Sequence, residues 1–161
     1  METETFTSIM GAFPAGVAVI TTVDERGQPK GLTTTAVSSV SAEPPLLLVC
    51  VARTSRTLPA LQHTQRFVVN FIESGFEEIC TLFASRAEDK FEGLAWDSSH
   101  GGLPYLPEHT VAWAECEVER EIEAGDHVIF IGRIEAGEAH PAQKQPVVYF
   151  RREYGIVGPR P

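Results

Sequence analysis

Three short stretches concentrate side chains able to hold a polar ligand. GLTTTAVSSVS, residues 31–41, places Thr33, Thr34, Thr35, Ser38 and Ser39 within seven positions. Each hydroxyl can donate or accept, so such a row can match either edge of a planar polar heterocycle. The plain alternative is a strand with a polar outer face, which the β propensity of threonine permits. RTSRT, residues 53–57, follows an apolar run and opens a short helix. Ser55 and Thr57 can cap that helix. The same geometry makes an anion site, with outward N–H groups, a positive helix end and the charges of Arg53 and Arg56. ASRAEDKF, residues 84–91, brings Ser85, Arg86, Lys90 and Phe91 together near a second helix end. A cation there is also ordinary helix stabilisation. Two serine-plus-cation clusters in an acidic chain point to one ligand carrying a phosphate or pyrophosphate.

A fourth stretch, GDHVIFIG at residues 125–132, sets His127 at the mouth of a hydrophobic strand. The imidazole could be a ligand, a base or a turn residue. No HxH, HExxH or His-Cys pair surrounds it, so no metal site is expected. Asp126 can fix its tautomer, although adjacent residues on a strand point to opposite faces. Cys50 could pair with His127 as a nucleophile. Its setting in LLLVCVA is apolar, however, and a thiol in such surroundings is normally inert.

The elements that must position these groups are mostly strands. Residues 5–13 have helical spacing, with Phe6, Ile9, Met10 and Phe13 on one side. Residues 16–23 read as a strand, 24–28 as a polar turn and 29–41 as the returning arm of an antiparallel hairpin. Residues 46–52 are apolar on both faces, as a central barrel strand would be. Residues 66–72 form another strand and 74–85 a helix. Residues 86–110 are irregular, and a stretch of that length usually carries function or wraps a neighbour. Two strands across 111–124 and 127–139 form a hairpin turning at Gly125 and Asp126, and 146–155 supplies a last strand. Six or seven strands joined mainly as hairpins, with few helices, predict a mainly β antiparallel barrel with peripheral helices.

The 161 residues suffice for one domain over 1–161 with a substantial core. A hydrophobic content of 43% and a mean hydropathy of -0.05 are globular values. A net charge of -9 with no basic stripe argues against nucleic-acid binding. No stretch approaches the length of a membrane helix, and the acidic start METETFTSIM is not expected to be a signal peptide. Three scattered cysteines, with no CxxC pair, suit a reducing cytoplasm.

Taken together, residues 13–57, ASRAEDKF, GDHVIFIGRIEAGE and PVVYFRREYG resemble, in order and spacing, the flavin reductases that serve two-component flavin monooxygenases. The resemblance covers nearly the whole chain. It implies an FMN-binding split β-barrel, usually a homodimer. It also implies reduction of FMN or FAD by NADH and release of reduced flavin to a separate monooxygenase. Carried over by position, Thr33, Thr34, Thr35, Ala36, Ser38 and Ser39 would line the isoalloxazine ring and ribityl chain. Ser55 and Thr57, with Arg53 and Arg56, would bind phosphate. Ser85, Arg86, Lys90 and Phe91 would complete the flavin site. His127 would be the catalytic-site histidine beside the nicotinamide, orienting it rather than transferring a proton. Tyr149, Phe150 and Arg151, with Tyr154, would help hold NADH. The chain departs from the family's usual asparagine and bulky aromatic at Thr35 and Val37. No extra pocket for a 2′-phosphate is evident, so NADH is expected over NADPH. The competing reading is a flavin-binding electron carrier or sensor on the same barrel, without NADH turnover.

Overall fold

In the computed structural model, residues 1–141 and 143–157 are described. The single domain expected over 1–161 also takes in residues 142 and 158–161, which lie outside the described residues. The chain opens with helix α1 (Thr3–Gly11), two residues earlier than the apolar spacing suggests. Strands β1 (Ala15–Gly16) and β2 (Ala18–Val23) follow. The turn after β2 is built by Asp24, whose Oδ1 accepts the N–H groups of Arg26 and Gln28, each at 2.9 Å.

The returning arm expected over 29–41 is two strands, β3 (Pro29–Thr34) and β4 (Val37–Ala42). Between them the Thr34 hydroxyl accepts the Ala36 N–H at 3.0 Å and turns a corner. Only β3 pairs with β2; β4 leaves to pair with β5 (Pro45–Ala52). Strand β5 buries Leu47, Val49 and Val51, while Leu46, Leu48 and Cys50 stay partly exposed. Its second face is therefore open, not buried as its composition suggests.

Helix α2 (Leu58–Thr64) and strand β6 (Arg66–Ile72) come next, then helix α3 (Glu77–Ala84). The irregular stretch contains one small ladder, β7 (Asp97–Ser98) with β8 (Pro104–Tyr105). Strands β9 (Thr110–Ala124) and β10 (His127–Ala139) form the long hairpin, turned at Gly125 with φ of +61°. The last strand is also a hairpin, β11 (Val147–Phe150) with β12 (Glu153–Ile156). Arg151 and Arg152 turn it with φ of +49° and +70°, left-handed values at non-glycine residues.

The main sheet has the order β3-β2-β6-β9-β10-β5-β4, with every pair antiparallel. Ile20 of β2 and Val49 of β5 share one buried cluster although three strands lie between them. Only a rolled sheet brings such residues together. Leu58 and Leu61 of α2 enter the same cluster and plug one end. The edges β3 and β4 do not pair, so the barrel is split where the chain passes between them. Val17, just before β2, and Val19 on the alternate face of β2 enter a second cluster with Ile79, Cys80 and Phe83 of α3. Burying each large apolar side chain in that cluster contributes roughly 1.5–3 kcal/mol, which fixes α3 against β3. No described helix is long and apolar enough to cross a membrane.

Candidate functional site

A cavity of about 460 Å³ lies where α3, the end of β5 and the start of β10 meet β3. Strand β3 contributes Thr33 and Thr34. The Thr33 hydroxyl donates to the Cys80 carbonyl at 2.6 Å, so its lone pairs remain to face a ligand. The two serine-plus-cation loops share a local plan. The Ser55 oxygen accepts the Thr57 N–H at 3.2 Å, and the Ser85 oxygen accepts the Ala87 N–H at 3.1 Å. Each ring folds the chain around the following arginine. Arg56 then donates from Nη2 to the Ala87 carbonyl at 3.0 Å, tying one loop to the other. The backbone N–H of Arg56 meets no acceptor among the described residues. Such a group beside cations suits an anion.

Helix α2 contributes less to this site than the sequence suggests. It has seven residues, and no side chain caps its N-terminus. Thr57 is buried, and its hydroxyl donates to the Gly31 carbonyl at 2.9 Å. Lys90 carries more weight. Its ammonium donates to the Phe83 carbonyl at 2.7 Å and the Gly31 carbonyl at 3.2 Å, which holds the charge at the cavity wall. Partial burial and the neighbouring Arg56 charge hold its pKa below the ordinary lysine range. An anion placed there would oppose both effects.

His127 begins β10, directly opposite Ala52 at the end of β5. That register brings the imidazole beside the Arg53–Thr57 loop. Nδ1 lies 2.8 Å from Asp126 Oδ1. Opposite-face pleating does not separate them, because Asp126 stands in the turn rather than in the strand. The hydrogen bond to His127 holds the Asp126 carboxyl below the usual carboxylate range. With Nδ1 engaged, Nε2 is the nitrogen left for a ligand. Arg53 does not line the cavity. It donates to the Gly125 carbonyl and pairs with Glu123 at 3.3 Å, so it braces the turn carrying His127.

The remaining expected residues are divided. Thr35, Ala36, Ser38 and Tyr149 line a separate, mostly apolar cavity of about 510 Å³ between α1 and β4. Cys50 borders both cavities, and burial pushes its thiol pKa up, which disfavours a thiolate nucleophile. Ser39 is exposed on β4 and borders neither. Phe91 is buried with its ring edge-on to Phe83 at 5.0 Å. In the last hairpin the Arg151 guanidinium lies 5.2 Å over the Phe150 ring, and Tyr154 packs on Tyr149 at 5.4 Å. Sequence reasoning passed over Lys30 and Trp96, which border smaller cavities beyond Arg56. Lys30 had a signal, a cation directly ahead of Gly31 and the hydroxyl row. Trp96 stands in an irregular acidic stretch with no motif around it and had none.

The flavin reductase like domain matches residues 10–158. A flavin reductase (NADH) of Kitasatospora aureofaciens is 46% identical over 152 residues, covering 94% of this chain and 80% of that protein. The crystal structure of a nitrilotriacetate monooxygenase component B homologue from Mycobacterium thermoresistibile superposes with a TM-score of 0.91. It is 33% identical, over 96% of this chain and 86% of that one. An NADH:FAD oxidoreductase of Streptomyces globisporus gives a TM-score of 0.89 at 30% identity, over 96% and 92% of the two chains. Superposition over nearly the whole of each chain shows a shared fold, and the chain belongs to the flavin reductase family.

Proposed function

We propose that this chain is an NADH-dependent flavin reductase that supplies reduced FMN or FAD to a separate flavin-dependent monooxygenase. One observation carries the reading: Thr33, Arg56, Ser85, Lys90 and His127 come from four distant segments and border one cavity. That set fits a flavin nucleotide. Hydroxyls suit the polar edge of the ring and the ribityl chain, Leu32 and Ala52 offer apolar wall, and the cations suit a phosphate. When bound, flavin supplies a hydride acceptor for nicotinamide C4, chemistry that needs close, stacked rings.

The chain's own residues then act by position. Arg56, Arg86 and Lys90 hold the phosphate, while Thr33 and Thr34 orient the ring. His127, with Nδ1 held by Asp126, offers Nε2 to the nicotinamide carboxamide or a phosphate. Tyr149, Phe150, Arg151 and Tyr154 support the dinucleotide from the last hairpin. The NADH named for the Kitasatospora and Streptomyces proteins supports the choice of reductant. The oxygenase component named for the Mycobacterium structure supports transfer to a partner.

The exposed Phe6, Met10 and Phe13 of α1 and its C-terminal side border the apolar cavity containing Thr35 and Ala36, and Ile9 of the same helix is exposed as well. An apolar surface of this kind suits burial against a second copy, so the working form is a homodimer. The free thiols Cys50, Cys80 and Cys116 suit the cytoplasm.

Anaerobic titration with NADH, in the presence of FMN and then FAD, tests the reading. Bleaching of flavin absorbance in proportion to NADH is expected. Flavin binding without NADH oxidation would instead establish a carrier. Light scattering checks the dimer, and a monomer at micromolar concentration would refute it.

A further inference from the structure

Helix α1 is two-sided. Phe6 and Met10 line the apolar cavity, while Glu4, Thr5 and Ser8 border another, of about 750 Å³. Its remaining wall includes Arg151 and Arg152, the turn of the last hairpin. The Arg151 N–H donates to the Gly11 carbonyl at 2.8 Å, which ties that turn to the end of α1. Thr7, Gly11 and Arg152 border both cavities. Cys50 borders the apolar cavity and the one holding His127. Three hollows therefore adjoin in series, from His127 to the arginines.

Two features set the arginine turn apart. Both residues are left-handed, with φ of +49° and +70°. A two-residue turn of that geometry normally carries asparagine and glycine, because a Cβ is disfavoured there. Here both positions hold cations, and strain of this kind collects at ligand clamps. Charge pairing is the second feature. Arg53, Arg66 and Arg133 each pair with a carboxylate, whereas Arg151 and Arg152 have no such pair among the described residues. Arg151 is held instead over the Phe150 ring at 5.2 Å. Two adjacent unpaired guanidinium forks beside Thr5, Thr7 and Ser8 make an anion site in a chain whose net charge is -9. Glu4 is the one carboxylate on this wall, a helical turn from Ser8 toward the start of α1.

We propose that this site takes the 2′-phosphate of NADPH, and that Arg152 lets the chain use NADPH as well as NADH. The proposal rests on the reductase reading above. Past Cys50, the apolar walls at Phe6, Met10 and Tyr149 suit the faces of an adenine. A dinucleotide laid along the series has its pyrophosphate between the two bases. It carries a 2′-phosphate only at the adenosine end, where the arginines stand. The sequence hides the site because its two halves lie at opposite ends of the chain.

The test titrates two fragments, adenosine 2′,5′-bisphosphate and 5′-AMP, into the full chain by calorimetry. Oxidised FAD is present to fill the flavin site, and no hydride transfer enters the readout. The wild type should bind the bisphosphate at least about ten-fold more tightly, the worth of one charge-assisted contact. Arg152→Gly should remove most of that advantage and change 5′-AMP less than about two-fold. Glycine suits the left-handed backbone, so the Tm of this variant should match or exceed that of the wild type. Arg152→Lys keeps the charge without the fork and should retain part of the advantage. High salt should shrink the contrast. In turnover, Arg152→Gly should raise the KM for NADPH by a similar factor. Equal wild-type affinity for the two fragments overturns the proposal. Equal weakening of both in Arg152→Gly overturns it too, because the arginine would then hold the shared 5′-phosphate. Failure to oxidise either NADH or NADPH would count against the reductase reading while the contrast between fragments still stood.

Discussion

Arg53 Nε donates to the Gly125 carbonyl across 3.0 Å, and the Arg53 backbone N–H donates to the Asp126 carbonyl at 2.9 Å. Two bonds from one residue thus fix the turn that presents His127. The guanidinium thereby braces that turn. Arg53→Ala keeps the backbone bond and removes the other. The KM for NADH should rise about three- to ten-fold, the cost of loosening one charge-assisted bond on a positioned group. Amide exchange at residues 125–127 should quicken in the same variant. Loss of flavin affinity with unchanged exchange would show that Arg53 contacts the ligand instead.

His127 carries the nicotinamide side of the reading. Its Nδ1 bond to Asp126 fixes the ring, and the opposite nitrogen is available. His127→Ala should raise the KM for NADH about ten-fold, the worth of one oriented hydrogen bond. Oxidised flavin should bind within about two-fold of wild type. Asp126→Asn should reproduce part of the NADH effect, since it disturbs orientation while leaving the imidazole in place. A folded His127→Ala that loses both ligands equally would sink the assignment.

Lys90 gives flavin binding a pH signature. Its pKa is depressed by burial and by Arg56, so the free protein releases this proton more readily than an ordinary lysine would. A bound phosphate favours the charged form, and binding therefore takes up a proton as pH rises through that lowered pKa. Flavin affinity should fall on the alkaline side, beginning below the ordinary lysine range. The stability of the free protein has the opposite sign, rising with pH through the same window because the unfolded chain there holds the extra proton. Lys90→Arg keeps the charge and should flatten the affinity loss. An unchanged alkaline slope in Lys90→Arg would place the titration on the flavin.

Parts of this molecule are legible in the residues, for physical reasons. The β9–β10 hairpin shows itself through alternation and a glycine where φ must be positive. The β3–β4 corner does not, because Thr35 and Ala36 carry no turn chemistry and the bend is made by a Thr34 hydroxyl. The last hairpin is hidden for a similar reason, since Arg151 and Arg152 hold conformations that glycine or asparagine normally signals. The hydroxyl row reads as one surface, yet the corner sends Thr33 and Thr34 to one cavity and Thr35 and Ser38 to another.

Gly31 sets how closely α3 approaches β3. A Cβ at this position would stand 2.5 Å from the Phe83 ring and 3.0 Å from the Ile20 carbonyl. Phe83 is buried and cannot swing away without opening the cluster beneath α3. Gly31→Ala should cost about 1–3 kcal/mol, the usual range for overpacking, seen as a Tm lower by several degrees. The Phe83 carbonyl also holds Lys90, so flavin affinity should fall as well. A variant with unchanged Tm would mean that α3 shifts freely.

Glu115 offers the matching test on β9, in register with Gly31 through Thr21 and Val68 of the two strands between them. It is almost wholly buried on β9, where Oε1 pairs with Arg66 and Oε2 accepts the Gly101 N–H at 3.2 Å. Arg66 in turn donates to the Gly101 carbonyl at 3.1 Å. One carboxylate and one guanidinium thus clasp the loop between β7 and β8. Glu115→Ala strips both partners at once. Arg66 remains partly exposed and can regain water, so the loss should fall below the full penalty of a stranded buried charge, at about 1–3 kcal/mol. Chemical denaturation should show a lower midpoint, and proteolysis near Gly101 should quicken. None of the clasp borders the His127 cavity, so flavin and NADH KM values should stay within about two-fold of wild type. A large change in either KM with unaltered stability would mean that the clasp acts on the site and not on the loop.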